Sequence, residues 1–135
     1  MIEIDSKKRL DAVDITAYVE EVLRVSGVES GVAIVYTLHT TTGLTVNEAD
    51  GALIEDILNF LERTAPENAG YRHDHGKGNA HAHLRAIILG NSVTVPVDQN
   101  RLALGVWQRI LFFELDGPRR RKICVKIVPD QTKIT

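Results

Sequence analysis

Ser92-Val93-Thr94-Val95-Pro96-Val97, followed by Asp98-Gln99-Asn100, is the stretch that decides the fold. Valine at every second position, set against Ser, Thr and Pro, gives the period of a strand with one buried face. Asp-Gln-Asn is turn chemistry, and it leads directly into Leu102-Ala103-Leu104. Beyond it, Trp107 to Glu114 predicts a further strand, Asp116-Gly117-Pro118 a strong turn, and Arg119 to Val128 a last strand. Connections this short join antiparallel neighbours, because a parallel pair needs a crossover of about a dozen residues or more. The second half of the chain therefore reads as antiparallel sheet.

Working back toward the N-terminus, the period changes. Ile15, Tyr18, Val19, Val22 and Leu23 recur at helical spacing behind Asp14, a good N-cap, and Gly27 closes the run. From Gly31 the run Val32-Ala33-Ile34-Val35-Tyr36-Thr37-Leu38 is apolar on both faces and β-branched, which predicts a strand in mid-sheet. A second helix is signalled by Leu53, Ile57, Phe60 and Leu61 after Asn47, Glu48 and Asp50, stopping before Pro66. Residues 66–79 form a loop long enough to suggest a functional role, and a short third helix follows from Asn79 to Leu89. The order, roughly β-α-β-β-α-α-β-β-β-β, predicts a single α+β domain over residues 1–135, with mostly antiparallel sheet, sandwich-like, covered by about three helices.

Composition narrows the function. Sixteen Lys and Arg against eighteen Asp and Glu leave a net charge of −2, so no global positive field draws in nucleic acid or an anionic membrane. No apolar run approaches the roughly 20 residues of a membrane span, and the N-terminus lacks a basic and apolar leader, so the expected compartment is the cytoplasm. The lone Cys124 sits among alternating apolar residues and reads as a strand residue.

Histidine is the informative residue. Four of the five, His73, His75, His81 and His83, fall within eleven residues, and imidazole is the commonest ligand for zinc-like metals near neutral pH. His39 ends the apolar strand next to Thr40-Thr41-Thr42, a polar stretch that a core does not need. His81 and His83 lie two apart, so on a helix they point about 200° apart and cannot both enter one site. Gly76-Lys77-Gly78-Asn79 precedes a helix start and could receive a phosphate or carboxylate. In Arg119-Arg120-Arg121-Lys122, alternate residues share a face, so Arg119 with Arg121 could clamp an anion; a solvated strand edge, or pairing with Glu114 and Asp116 across the turn, is the competing role. Glu48, in a first helical turn, is a candidate general base. The only tryptophan, Trp107, suits a core or a subunit interface.

Taken together, these blocks resemble a known family. His39-Thr40-Thr41 followed by Asn47-Glu48, Tyr71-x-His73, Asn79-Ala80-His81-Ala82-His83-Leu84, Leu102-x-Leu104-Gly105-x-Trp107-Gln108 and Glu114-x-Asp116-Gly117-Pro118-Arg119-x-Arg121 occur in the order found in the YjbQ-like (UPF0047) proteins, labelled secondary thiamine-phosphate synthases. One departure is Val106, where the family pattern typically has Thr. The resemblance implies a homotrimer of compact α+β subunits, with His39, His73 and His83 as motif histidines and His81 at a more variable position. It further implies the joining of a pyrimidine diphosphate to a thiazole phosphate with loss of pyrophosphate. The resulting expectation is a small metal-assisted enzyme acting on a phosphorylated small molecule, a thiamine-phosphate synthase or a metal-dependent hydrolase. His39, His73 and His83 would hold a zinc-like divalent metal, with His39, His83 and Glu48 catalytic. Lys77, Asn79, Arg119 and Arg121 would neutralise phosphate. The alternative is a non-catalytic trimer that binds an anion in the same pocket.

Overall fold

The computed structural model describes residues 1–131. Strands β1 (Ile2–Asp5) and β2 (Asp11–Asp14) precede helix α1 (Thr16–Ser26), and β3 (Gly31–Thr37) and β4 (Thr42–Asn47) precede α2 (Gly51–Thr64). A single 3-10 turn, Arg72–His75, leads to α3 (Ala80–Leu89), and the chain finishes with β5 (Ser92–Asp98), β6 (Arg101–Leu102), β7 (Arg109–Glu114) and β8 (Arg120–Pro129). The fold is α+β, with every strand pairing antiparallel. One sheet runs β1-β8-β3-β5-β6 and the other β2-β7-β4.

Strand β7 explains the layering. Ile110 and Phe112 belong to a core shared with Ile2, Ile4, Val35, Val95 and Ile123 of the larger sheet and with Val19 and Leu23 of α1. Leu111 and Phe113, on the opposite face, pack with Leu61 of α2 and Ala82 and Ala86 of α3. Period-2 geometry thus places one strand between two apolar layers, and no residue from Ile110 to Leu115 is exposed.

Local chemistry sets the helix ends. Asp50 caps α2 by accepting the Leu53 amide at 3.0 Å. Gly27 ends α1 at φ 69°, a left-handed position suited to glycine. At α1 the predicted cap is displaced by one residue: Ile15 occupies the N-cap, and Asp14 accepts from the Thr16 amide at 3.0 Å and its hydroxyl at 2.7 Å. At α3 the Asn79 side chain does not cap; the Ala80 amide donates instead to Asp74 at 3.0 Å.

Three expectations change. Two strands, not one, precede α1, because the chain crosses from β1 on β8 to β2 on β7. Strand β3 lies in mid-sheet but buries only one face, since Tyr36 on the other is exposed. The strand expected from Trp107 begins at Arg109, because the Gly105 amide donates to Gln108 Oε1 at 2.8 Å in a turn that leaves Trp107 72% exposed. The expected domain extends to residue 135; residues 132–135 lie outside those described. Among the described residues, no helix is long and apolar enough to cross a membrane.

A buried ion pair locks the two sheets where β7 and β8 meet the loops. The Arg121 side chain is 5% exposed and Glu114 0%. Arg121 donates through Nε to Glu114 Oε1 at 2.7 Å, through its terminal nitrogen to Glu114 Oε2, and to Thr41 Oγ1 at 2.9 Å. Ser6 donates to Glu114 at 2.7 Å, and the Asp116 amide donates to it at 3.0 Å. A Cβ at Gly117 would come within 2.6 Å of Glu114 Cγ and 2.8 Å of Ser6 Oγ, so the close approach of this turn requires glycine. Removing one partner strands a desolvated charge. Glu114→Ala should therefore lower the unfolding free energy by about 3–5 kcal/mol, read by urea denaturation, whereas Arg24→Ala, which removes an exposed pair, should cost under about 1 kcal/mol.

Candidate functional site

The loop after β3, the turn after β7 and the start of α3 converge on an open cleft of about 290 Å³. It is lined by Leu38, His39, Thr40, Thr41, Lys77, Asn79, His83, Asp116, Arg119 and Arg121. Six residues named from the sequence therefore share one wall: His39, His83, Lys77, Asn79, Arg119 and Arg121. A larger groove of about 620 Å³ adjoins it, shares His39 and His83, and continues along Tyr36, Ala86 and Ile87.

His39, Asn79 and Arg119 are each held by a definite partner. The Lys122 amide donates to His39 Nε2 at 2.8 Å. That nitrogen is thereby an acceptor, so in the neutral ring the proton sits on Nδ1. Asn79 donates to Asp116 at 3.0 Å, and Arg119 Nε donates to the Asp116 carbonyl at 3.0 Å. Arg119 also lies 3.4 Å from the Asp116 carboxylate. Lys77 is exposed and, among the described residues, has no carboxylate within salt-bridge distance. The cleft thus carries an unpaired ammonium, a half-engaged guanidinium and an amide, a donor-rich surface for an anion.

The two histidines are held neutral. Burial, then the Arg121 charge, lowers the His39 pKa below its ordinary 6.5. Burial, then His73, lowers that of His83, against the opposing pull of Asp116. Neutral imidazole can both give and take a proton near neutral pH.

Glu48 and His73 stand outside the cleft, and Arg121 is engaged within it. Arg121 lines the cleft, but its fork is engaged by Glu114 and Thr41, so it supports the wall instead of clamping a ligand. Glu48 follows the far end of β4, about 17 Å along the strand from Thr42, next to the Asn47–Arg109 pairing. Within one chain it cannot act at the cleft. His73 lies behind His83, ring centroids 4.8 Å apart and edge-to-face, and lines an adjoining hollow with Tyr71, Leu84 and His83 itself. His75 approaches His73 at 5.9 Å.

A family model described as UPF0047 protein YjbQ-like matches residues 1–130. The chain belongs to the YjbQ-like family. A UPF0047 protein of Archaeoglobus fulgidus is 50% identical over 125 residues, covering 93% of this chain and 97% of its own length. YugU of Bacillus subtilis is 39% identical over 131 residues, covering 94% and 96%. Among solved YjbQ-like structures, a YbjQ-like protein of unknown function from Sulfolobus solfataricus P2 superposes with a TM-score of 0.92 at 35% identity, covering 96% of this chain and 94% of the other. A hypothetical protein from Aeropyrum pernix K1 gives a TM-score of 0.91 at 40% identity over 96% of each chain.

The metal expectation meets a geometric obstacle in this YjbQ-like chain. Among the described residues, no three His, Cys, Asp or Glu side chains gather as a metal-holding group. His39 Nε2 already accepts the Lys122 amide, and its Nδ1 carries the proton, so neither nitrogen offers a free lone pair. His73 and His83 remain as a pair. Thr41, Glu114 and Asp116, which shape the cleft, stand in the sequence as motif residues, polar neighbours or partners of the arginines, without a site role of their own. Nothing in a single sequence distinguishes a carboxylate that grips an arginine from one that leaves it free.

The histidines make acid sensitivity a signature of this site. An unfolded histidine takes up its proton near pH 6.5, whereas folded His39 and His83 resist it, so stability is full above about pH 6.5 and falls as pH drops through their lowered values. Nitrogen-15 NMR should find His39 protonated on Nδ1 at pH 7, and acidification should release the Lys122 amide to faster hydrogen exchange. A proton on Nε2 at pH 7 would contradict the assignment.

Proposed function

We propose that the cleft binds the phosphate end of a small molecule, and that His39 and His83 move protons on the bound ligand. The observation that carries this reading is the convergence of Lys77, Asn79 and Arg119 with two neutral histidines around one open hollow. Lys77 and Arg119 would neutralise phosphate oxygens, and Asn79, held by Asp116, would donate beside them. His39 presents its Nδ1–H and suits the role of donor to an oxyanion, whereas His83, with no fixed acceptor bond, suits the role of base. His73 and His83 are a pair and not a set that would hold a zinc-like ion alone.

Thiamine-phosphate synthesis uses substrates of this class and is the first reaction to test. The alternative, a non-catalytic anion-binding protein, uses the same groups. A homotrimer is supported by apolar side chains left exposed on one chain, among them Leu38, Ile87, Val106 and Trp107. The groove along Ile87 opens into the His39 cleft, so a subunit seated there would border the site.

Calorimetric titration with inorganic pyrophosphate should show saturable binding. Lys77→Ala and Arg119→Ala should each weaken it by about tenfold, the scale of one charge-assisted contact. With the pyrimidine diphosphate and thiazole phosphate as substrates, His83→Ala should bind but lose turnover. Saturable binding without turnover in the wild type would select the binding-protein reading, and wild-type affinity in Lys77→Ala would remove the phosphate assignment.

A further inference from the structure

On helix α3, His81 and Arg85 lie one turn apart and share the face opposite His83 and Ile87. That face packs toward the end of α2 and the connection from β1 to β2, where a hollow of about 370 Å³ is lined by Arg9, Leu10, Glu62, Pro66, Glu67, His81 and Arg85. It is separate from the His39 cleft and shares none of its residues.

Arg85 is the anomaly. It is only 4% exposed, a burial that arginine normally reaches against a carboxylate, as Arg121 does against Glu114. Arg85 donates through Nε to the Ala65 carbonyl at 3.0 Å, which satisfies the end of α2. Among the described residues its two terminal nitrogens have no acceptor, and no carboxylate comes within salt-bridge distance of them. The nearby Glu67 is held by Arg9 at 3.0 Å. Glu62 lines the hollow without touching Arg85. A second observation is independent of the first. His81 is 1% exposed, and its Nδ1 is a buried polar atom with no hydrogen-bond partner. Arg9 approaches the other ring nitrogen at 3.4 Å, so Nδ1 is the protonated position of the neutral ring. A guanidinium without a counter-ion thus lines one small hollow together with a histidine whose buried Nδ1–H, behind the hollow's surface, lacks an acceptor.

We infer that this hollow is a second anion site, which takes the oxyanion group, phosphate or carboxylate, of a small molecule on the free edge of Arg85, beside His81 and Arg9. A guanidinium edge meets two oxygens at once, and bound oxyanion would supply the counter-charge that the protein does not. Glu62 faces the same space and opposes an anion electrostatically, so it sets the affinity without making a contact.

The test uses a Lys77→Ala/Arg119→Ala protein, in which the first cleft is disabled. It is titrated with inorganic phosphate and separately with acetate, at constant ionic strength in chloride. Saturable binding of either anion is expected, with parallel saturable shifts of the His81 ring resonances. Phosphate binding identifies a phosphate group as the ligand, and acetate binding alone identifies a carboxylate. Adding Arg85→Met should weaken binding at least about tenfold, and adding Glu62→Gln instead should strengthen it. If Arg85→Met fails to fold, Glu62→Gln and the His81 resonances decide the matter in an intact fold. Responses that are linear and equal to that of chloride, affinity unchanged by Arg85→Met, or His81 resonances that do not move would each overturn the inference.

Discussion

The ion pair between Arg121 and Glu114 is the constraint on which the rest of this structure depends. Both side chains are out of water, so the Coulomb attraction between them must offset a large desolvation cost, and it can do so only with its remaining hydrogen-bond positions filled. Those positions are filled by Thr41 from the loop after β3, Ser6 from the end of β1 and the Asp116 amide from the turn after β7. Three connections that lie far apart in the chain are thereby drawn to one point. Despite burial, the Arg121 contacts, together with those of Ser6 and the Asp116 amide, hold the Glu114 carboxyl below its ordinary range, which keeps the pair ionised at neutral pH.

Two of these connections, the loop after β3 and the turn after β7, form the cleft together with the start of α3. Thr41 fixes the loop that carries His39, and the turn anchored by Glu114 carries Asp116 and Arg119. Asp116 then accepts from Asn79 at the start of α3 and is itself tied to the ion pair through its own amide. The Arg121 charge also depresses the His39 pKa, second only to burial. Structural electrostatics and site electrostatics are therefore one system: the charge that locks the sheets also keeps a neighbouring imidazole neutral. Precision of this kind suits a site whose groups must be held in place before a ligand arrives.

Much of this was legible in the sequence, and the reasons are specific. Alternation from Ser92 to Val97 and the short turns beyond it identified antiparallel sheet, because side-chain period and connection length are local properties. Residue type and position at element ends single out His39, His83, Lys77, Asn79 and Arg119 one by one, and the family resemblance implies that they share a site. What escaped were long-range pairings. Whether Arg121 clamps an anion or grips Glu114 depends on β8 and β7 lying in different sheets that meet at the turn. Whether Glu48 reaches His39 depends on the direction of β4, which carries the chain away from the cleft. The N-terminal crossing between sheets was hidden because each of its strands has four residues, too few for a clear period. Trp107 was expected in a strand, but Gln108 turns back on Gly105 and leaves the indole outside.

The most direct measurement of the central claim is the pyrophosphate affinity of the Arg121→Lys protein, taken beside its unfolding curve. Lysine keeps the charge opposite Glu114 but lacks the fork that also holds Thr41. If the pair positions the cleft, the variant stays folded and its affinity falls by at least about tenfold although Lys77, Asn79 and Arg119 are intact. Wild-type affinity in a folded Arg121→Lys protein would show that the cleft does not depend on this pair.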